Sequence, residues 1–281
     1  MKVDFFIVGA PKAGTTSLFN YLNRHPDINM CSVKEPNYFT YQEILNQKLY
    51  YERTGLINTL EKYHSLFPLK LNSKKSGEGS VSYLFYSGTA KKIYNYNPYA
   101  KIIIMLRDPI QRAFSHYLMD YRLGYISEPF NSIIKKESKH QDLELYYQQY
   151  IHLGLYYEQV KRYIDVFGIE NVLIINYSDF QNNTQEIIKQ VFGFLNVDTN
   201  FIIDNIIKYN QYHAPRSLFI LKLRLLLLNL GLDKILPKFI KNYVKRLFFV
   251  KKEKPVLDSE TKIFLKNIFK DDIKQLDKFL N

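Results

Sequence analysis

The strongest constraint on the fold lies at the start of the chain. Val3-Asp4-Phe5-Phe6-Ile7-Val8 is a short run interrupted by a single charge, and it passes directly into Gly9-Ala10-Pro11-Lys12-Ala13-Gly14-Thr15-Thr16-Ser17. A brief apolar run that ends in glycine reads as a strand buried on both faces, the habit of parallel sheets. A helix then begins over Ser17–Asn23 and stops near His25-Pro26, because the residue before a proline avoids the helical region. The run also has the outline of a weak signal peptide, with one charge at Lys2. Asp4 and the early Gly9-Ala10-Pro11-Lys12 break that pattern, and the apolar stretch is too short for it.

The same alternation returns downstream. Lys101–Leu106 reads as a second strand, and Asp108-Pro109 supplies a cap and a first-turn proline for a helix over Pro109–Arg122. Helical spacing over Leu155–Phe167 leads into a third strand, Val172–Asn176, and then a helix over Thr184–Leu195. Alternating strands and helices predict an α/β fold with a mainly parallel sheet. Residues 217–281 differ, with a Leu-rich basic stretch from Ser217 to Val250 and an amphipathic helix from Asp258 to Leu280. No repeat or low-complexity linker divides the 281 residues, so one domain over 1–281 is expected, with its helical C-terminal portion at about 217–281.

Composition narrows the partners. The net charge of +12 predicts an anionic partner: a nucleotide, an acidic polymer, a nucleic acid or a membrane surface. Cys31 is the single cysteine, which excludes an intrachain disulfide and a cysteine metal cluster. The six histidines lack paired helical spacing, so no zinc site is expected. No uncharged apolar run is long enough to span a bilayer.

The glycine-rich loop carries the first chemical signal. Glycines allow close backbone approach, and successive amides with a helix N-terminus direct positive dipoles at an anion. Lys12 adds a full charge, and Thr15, Thr16 and Ser17 add hydroxyls. Gly9 and Gly14 have the separation of a Walker A loop, but Thr15 stands where its lysine belongs. That departure disfavours ATP or GTP phosphotransfer. The plainer alternative is an ordinary glycine turn after a strand.

Pro11-Lys12-Ala13-Gly14-Thr15-Thr16-Ser17-Leu18 resembles the 5′-phosphosulfate loop of sulfotransferases that use 3′-phosphoadenosine-5′-phosphosulfate (PAPS). Arg107-Asp108-Pro109-Ile110-Gln111-Arg112-Ala113-Phe114-Ser115 resembles the second signature of that family. The resemblance implies a P-loop-like central parallel sheet flanked by helices. It also implies PAPS as donor, PAP as product, no metal, and a 3′-phosphate site at Arg107 and Ser115. The chemistry suits the carry-over, since a guanidinium fork at a strand end matches phosphate and Ser115 lies two turns further along one helix. Arg112 is expected to pair with a carboxylate such as Asp108.

Lys34-Glu35-Pro36-Asn37-Tyr38-Phe39 resembles a segment of the heparan sulfate branch and its bacterial relatives, in which the glutamate is the general base. That assigns catalysis to Glu35 and Lys12, and cofactor contacts to Lys12, Ala13, Gly14, Thr15, Thr16, Ser17, Arg107 and Ser115. Arg216, in a late loop, is a further phosphate candidate, with a surface loop as the alternative. Gly77-Glu78-Gly79-Ser80-Val81-Ser82-Tyr83 resembles another family stretch but has Gly79 in place of its lysine and Val81 in place of its proline. His116, beside Ser115, is a lesser candidate base and reads more readily as a packed histidine. The segment around Gly154-Leu155-Tyr156 is read as scaffold.

The expected function is transfer of a sulfuryl group from PAPS to a hydroxyl or amine, on a glycan, a glycolipid or another acceptor. The rivals are a P-loop nucleotide kinase and a basic membrane-surface or nucleic-acid binding module. The favoured reading involves no nucleic acid. Its expected location is the cytoplasm, with peripheral membrane contact through the Leu-rich basic stretch as an option.

Overall fold

The computed structural model describes residues 2–47, 57–68, 70, 72–204, 206, 213–215, 249–251 and 254–280. Five parallel strands form the central sheet: β1 (Phe5–Gly9), β2 (Ile28–Met30), β3 (Lys75–Gly79), β4 (Lys101–Leu106) and β5 (Val172–Asn176). Their order is β2-β3-β1-β4-β5. The chain leaves β1 toward one edge and returns past it to β4, so β1 lies at the topological switch. In open α/β sheets the crevice at the carboxyl ends of strands beside that switch is where ligands bind.

The strands and helices expected up to Leu195, and the helix expected near the C-terminus, appear in place, together with short elements that the sequence did not signal, while the Leu-rich stretch expected to be helical after residue 216 lies almost wholly outside the described residues. β1 is buried at every residue, and β4 at every residue after Lys101, which explains their near-continuous apolar runs. β2 has only three residues. β3 reads Lys-Ser-Gly-Glu-Gly and has no apolar pattern at all. Its small residues make room for neighbours, and a Cβ on Gly77 would lie 2.1 Å from the Phe5 ring. The sheet therefore takes its bulk from β1 and its space from β3.

Helices cover both faces. α1 (Thr15–Leu22) follows β1, α2 (Tyr41–Gln47) and α3 (Leu60–His64) lie between β2 and β3, and α4 (Thr89–Tyr96) precedes β4. α5 (Pro109–Leu123), α6 (Phe130–Ile134), α7 (Leu143–Tyr150) and α8 (Tyr157–Phe167) occupy the stretch from β4 to β5. α9 (Tyr177–Asn182) and α10 (Thr184–Leu195) follow β5, and α11 (Ser259–Leu280) is the amphipathic helix expected near the C-terminus. Residues 213–215 and 249–251 form a short antiparallel pair. No described helix is long and apolar enough to cross a membrane.

Two apolar clusters hold these layers. The larger surrounds the sheet, with Phe5, Phe6, Ile7, Ile102, Ile103 and Phe192 fully buried; burying one such side chain contributes roughly 1.5–3 kcal/mol. The smaller joins α5, α6, α7 and α11 through Phe114, Phe130, Tyr150, Leu265 and Phe269. Asp272 of α11 caps α8 by accepting the amides of Tyr156 and Tyr157 at 2.7 and 3.1 Å. The Tyr156 hydroxyl donates to the Arg107 carbonyl at 3.0 Å. The segment around Tyr156 is thus scaffold for the end of β4.

Candidate active site

A cavity of about 620 Å³ opens at the carboxyl ends of β1, β3, β4 and β5. Its wall includes Pro11, Lys12, Gly14, Thr15 and Thr16 from the first loop, and Glu35 from the segment after β2. Val81, Ser82, Phe85 and Tyr86 come from the chain after β3. Arg107 ends β4, and α5 presents Ser115, His116, Met119 and Arg122 along one face. Tyr177 from the start of α9 and Lys254 complete the basic side.

The first loop is shaped for an anion. Gly14 is the N-cap of α1 at φ 90°, and no side chain caps the helix, so its first-turn dipoles are directed at the cavity. Gly14 is required twice over. Its φ belongs to the left-handed side, and a Cβ there would lie 2.9 Å from the Tyr177 ring. Lys12 also has a positive φ of 68°. Its Nζ donates to the thioether of Met119 at 3.3 Å, a weak acceptor for an ammonium. Ala13 is fully buried, Ser17 is half-buried, and neither side chain lines the cavity. Of the residues expected to act in this loop, Lys12, Gly14, Thr15 and Thr16 are the ones that face the cavity.

Arg107 is fixed from two sides. Its guanidinium donates to the Lys12 carbonyl at 3.0 Å and lies 4.7 Å over the centre of the Tyr177 ring. The second signature therefore packs directly onto the first. Asp108 caps α5 as expected, accepting the Gln111 amide at 2.7 Å. Its expected partnership with Arg112 does not occur. Arg112 is fully buried one turn into α5, donating to the carbonyls of Gln149 (3.0 Å) and Tyr150 at the end of α7. A cation at a helix C-terminus meets unsatisfied carbonyls and the negative dipole end, and α5 points this side chain inward while Asp108 stays at the surface. Arg216 lies outside the described residues.

The electrostatics record cations crowded into a partly dry space. Burial, then Arg122 and Arg107, pushes the Lys12 amine down to about 8, with Asp120 and Glu35 opposing. Burial and then Arg107 push Lys254 down to about 8. Arg107 itself is lowered, chiefly by burial. Desolvation leads in all three, and like charge adds to it at Lys12 and Lys254. Nothing in the sequence distinguishes Lys254, which sits in an ordinary run of lysines; only folding brings it beside Arg107.

Glu35 is the one carboxylate among the described cavity-lining residues. Its own φ is 65° and that of Asn37 is 53°, so this short segment is held in an uncommon conformation. The turn after β3 holds it. Gly79 accepts the Glu35 amide at 2.9 Å, and Ser80 Oγ accepts the Asn37 amide at 3.1 Å. Ser82 Oγ donates to Asn37 Oδ1 at 2.7 Å. The Glu35 carboxylate pairs with Lys34. His116 also reaches the cavity but is almost fully buried, and burial, Arg112 and Lys12 hold it well below the ordinary histidine range. It is a packed imidazole.

Comparison with known proteins agrees with this arrangement. A family profile described as "Sulfotransferase domain" matches residues 2–276. Carbohydrate sulfotransferase 15 of Mus musculus is 28% identical over 246 residues, covering 69% of this chain and 43% of that protein. The bifunctional heparan sulfate N-deacetylase/N-sulfotransferase 4 of Mus musculus is 25% identical over 99% of this chain and 30% of its own length. This chain thus spans less than half the length of these curated relatives. A sulfotransferase from Alicyclobacillus acidocaldarius superposes with a TM-score of 0.74 at 28% identity, covering 99% of this chain and 96% of that one. With the profile match extending over nearly all of its length, this chain belongs to the sulfotransferase family.

Proposed function

We propose that the chain transfers a sulfuryl group from PAPS to a hydroxyl or amine of a glycan. The observation that carries the reading is one cavity in which two basic groupings meet a carboxylate. The Lys12 loop is one grouping, Arg107 with Ser115 and Lys254 is the other, and Glu35 shares the wall with both. The donor fits this chemistry. Lys12 donates to a thioether, the first turn of α1 has no side-chain cap, and burial followed by neighbouring arginine charge depresses Lys12 and Lys254.

In this reading PAPS, when bound, supplies an electrophilic sulfur on a phosphate that leaves readily. Lys12 and the amides at the start of α1 hold the 5′-phosphate side and stabilise the charge that grows on the leaving oxygen. Arg107, Ser115 and Lys254 hold the 3′-phosphate and so fix the register of the nucleotide. Glu35 takes the proton from the acceptor as its oxygen or nitrogen bonds to sulfur and the sulfur–oxygen bond to the phosphate breaks. Positioning and charge stabilisation dominate such a loose in-line transfer.

The names of the two curated relatives support a glycan acceptor, as do Phe85, Tyr86 and Gln148 on the cavity wall, an aromatic surface with an amide beside it. The test has two stages. PAP should raise the melting temperature more than ATP with magnesium does. Radiolabelled PAPS should then label one member of a panel of glycans, glycolipids and tyrosyl peptides. Stabilisation by ATP with magnesium alone would favour a kinase, and stabilisation by neither would favour a basic binding module.

A further inference from the structure

The turn that holds Glu35 is built over an unusual group. Glu78, in β3, is 0% exposed, and the hydroxyls of Tyr63, Ser80 and Tyr83 stand around its carboxyl without closing a hydrogen bond of good geometry. The groups that face it are Cys31 after β2, Tyr63 of α3, Ser80 and Tyr83 of the turn, Tyr96 of α4 and Tyr163 of α8. They are hydroxyls and a thiol, with no lysine, arginine or histidine among them. Burying a carboxyl without well-formed compensating bonds is costly, and far more so if it is charged. Natural chains retain such costs mostly where function needs them.

Its position indicates the use. The residue after Glu78 accepts the Glu35 amide, and the next one accepts the Asn37 amide. Tyr83, which faces Glu78, accepts the Phe39 amide through its hydroxyl at 3.3 Å. Three alternate amides of the Glu35 segment thus end on the stretch that begins at Glu78. Left-handed backbone is tolerated by an asparagine such as Asn37 but is strained at Glu35, where it persists only because the surroundings over-determine it. The segment would relax if this stretch loosened.

We propose that Glu78 is a positioning residue for Glu35, its enclosed carboxyl fixing the turn from Gly79 to Tyr83 and, through it, the segment from Glu35 to Phe39. The inference rests on the reading of Glu35 as the base. It brings a pH signature. Burial pushes the Glu78 carboxyl up to about 7, against the hydroxyls of Tyr63, Ser80 and Tyr83. Below that pH the group is neutral and seated; above it a charge without a counter-ion strains the turn.

The experiment compares wild type, Glu78→Gln and Glu78→Ala. Amide exchange at Glu35, Asn37 and Phe39 is followed across pH 6–9, and PAP release is measured at saturating PAPS with desulfated heparan sulfate as acceptor. Glu78→Ala should exchange faster at all three amides and lose ~10–100-fold in kcat, as small misplacements of a reacting group do, with KM for PAPS unchanged. Wild type should lose protection and turnover above about pH 7, whereas Glu78→Gln should keep both. An alkaline decline of equal size in wild type and Glu78→Gln would overturn the proposal and point to another group, such as Lys12. Unchanged exchange and kcat in Glu78→Ala would also overturn it. If Glu78→Ala does not fold, the Glu78→Gln comparison decides. The exchange measurement needs no acceptor, so it separates this inference from the role of Glu35; full turnover by Glu35→Gln would remove the base and leave the positioning result standing.

Discussion

In the proposed reading, the two depressed lysines make nucleotide affinity depend on pH in a calculable way. Lys12 and Lys254 both sit at about 8 in the ligand-free protein, against 10.5 for an ordinary lysine. Only the ammonium form can neutralise a phosphate, so binding above that pH must first return the proton. The sign follows directly. Below pH 7 both amines are already charged and affinity is at its plateau. Between pH 7 and pH 9 each lysine costs about tenfold in affinity, or roughly 1.4 kcal/mol, so two acting together cost ~100-fold. Calorimetric titration with PAP at pH 7, 8 and 9 gives the affinity. Repeating it in two buffers of different ionisation enthalpy counts the protons taken up, which should approach two at pH 9. Lys254→Met should bind more weakly at pH 7 and show about half the pH slope on a logarithmic scale. An affinity that is flat from pH 7 to pH 9, or a slope that Lys254→Met leaves intact, would refute the idea that these amines meet the phosphates.

Arg107→Ala and Ser115→Ala should weaken binding of PAP while leaving its 3′-dephospho analogue little changed; equal losses for both ligands in calorimetry would remove these residues from the 3′-phosphate. Glu35→Gln should lower turnover by roughly 10²–10⁴-fold at unchanged PAP affinity, the pattern of an interaction made in the transition state, and persistence of turnover with weaker acceptor binding would make Glu35 an orienting group instead. Glu78→Gln should also be the more stable protein at pH 8. The carboxyl is raised from 4.5 to about 7 on folding, so the stability it confers is full below pH 4.5 and lost as pH rises through 7. The difference from wild type in urea unfolding should reach roughly 3 kcal/mol at pH 8 and shrink toward pH 5; a constant difference across that range would show that the group does not titrate there.

The parts of the fold that could be read in the sequence are those that supply bulk. β1, β4 and β5 are runs of large apolar residues, and the helices beside them carry the matching periodicity. β3 could not be read, because its contribution is space for Phe5 and a place for Glu78. The site divides in the same way. Lys12, Gly14, Arg107 and Ser115 lie in contiguous motifs and converge as expected. Lys254 is far along the chain in an unremarkable lysine run, and its value arises only from tertiary proximity to Arg107. Arg112 shows the limit of local reasoning. Asp108 is the nearest carboxylate by sequence distance, yet it stays exposed and Arg112 reaches the backbone carbonyls at the end of α7.

The Tyr177 ring lies against Gly14 on one side and beneath the Arg107 guanidinium on the other. In effect it is a wedge. The loop and the arginine are locked together, Arg107 holding the Lys12 carbonyl directly and lying over this ring, and a side chain at Gly14 would displace the ring. A ligand that touches both is therefore measured against a fixed length. Two phosphates joined by a nucleoside of the right span would settle on both contacts at once, and one of another span would have to give up one of them. In the proposed reading, discrimination between nucleotides thus rests in part on an uncharged ring.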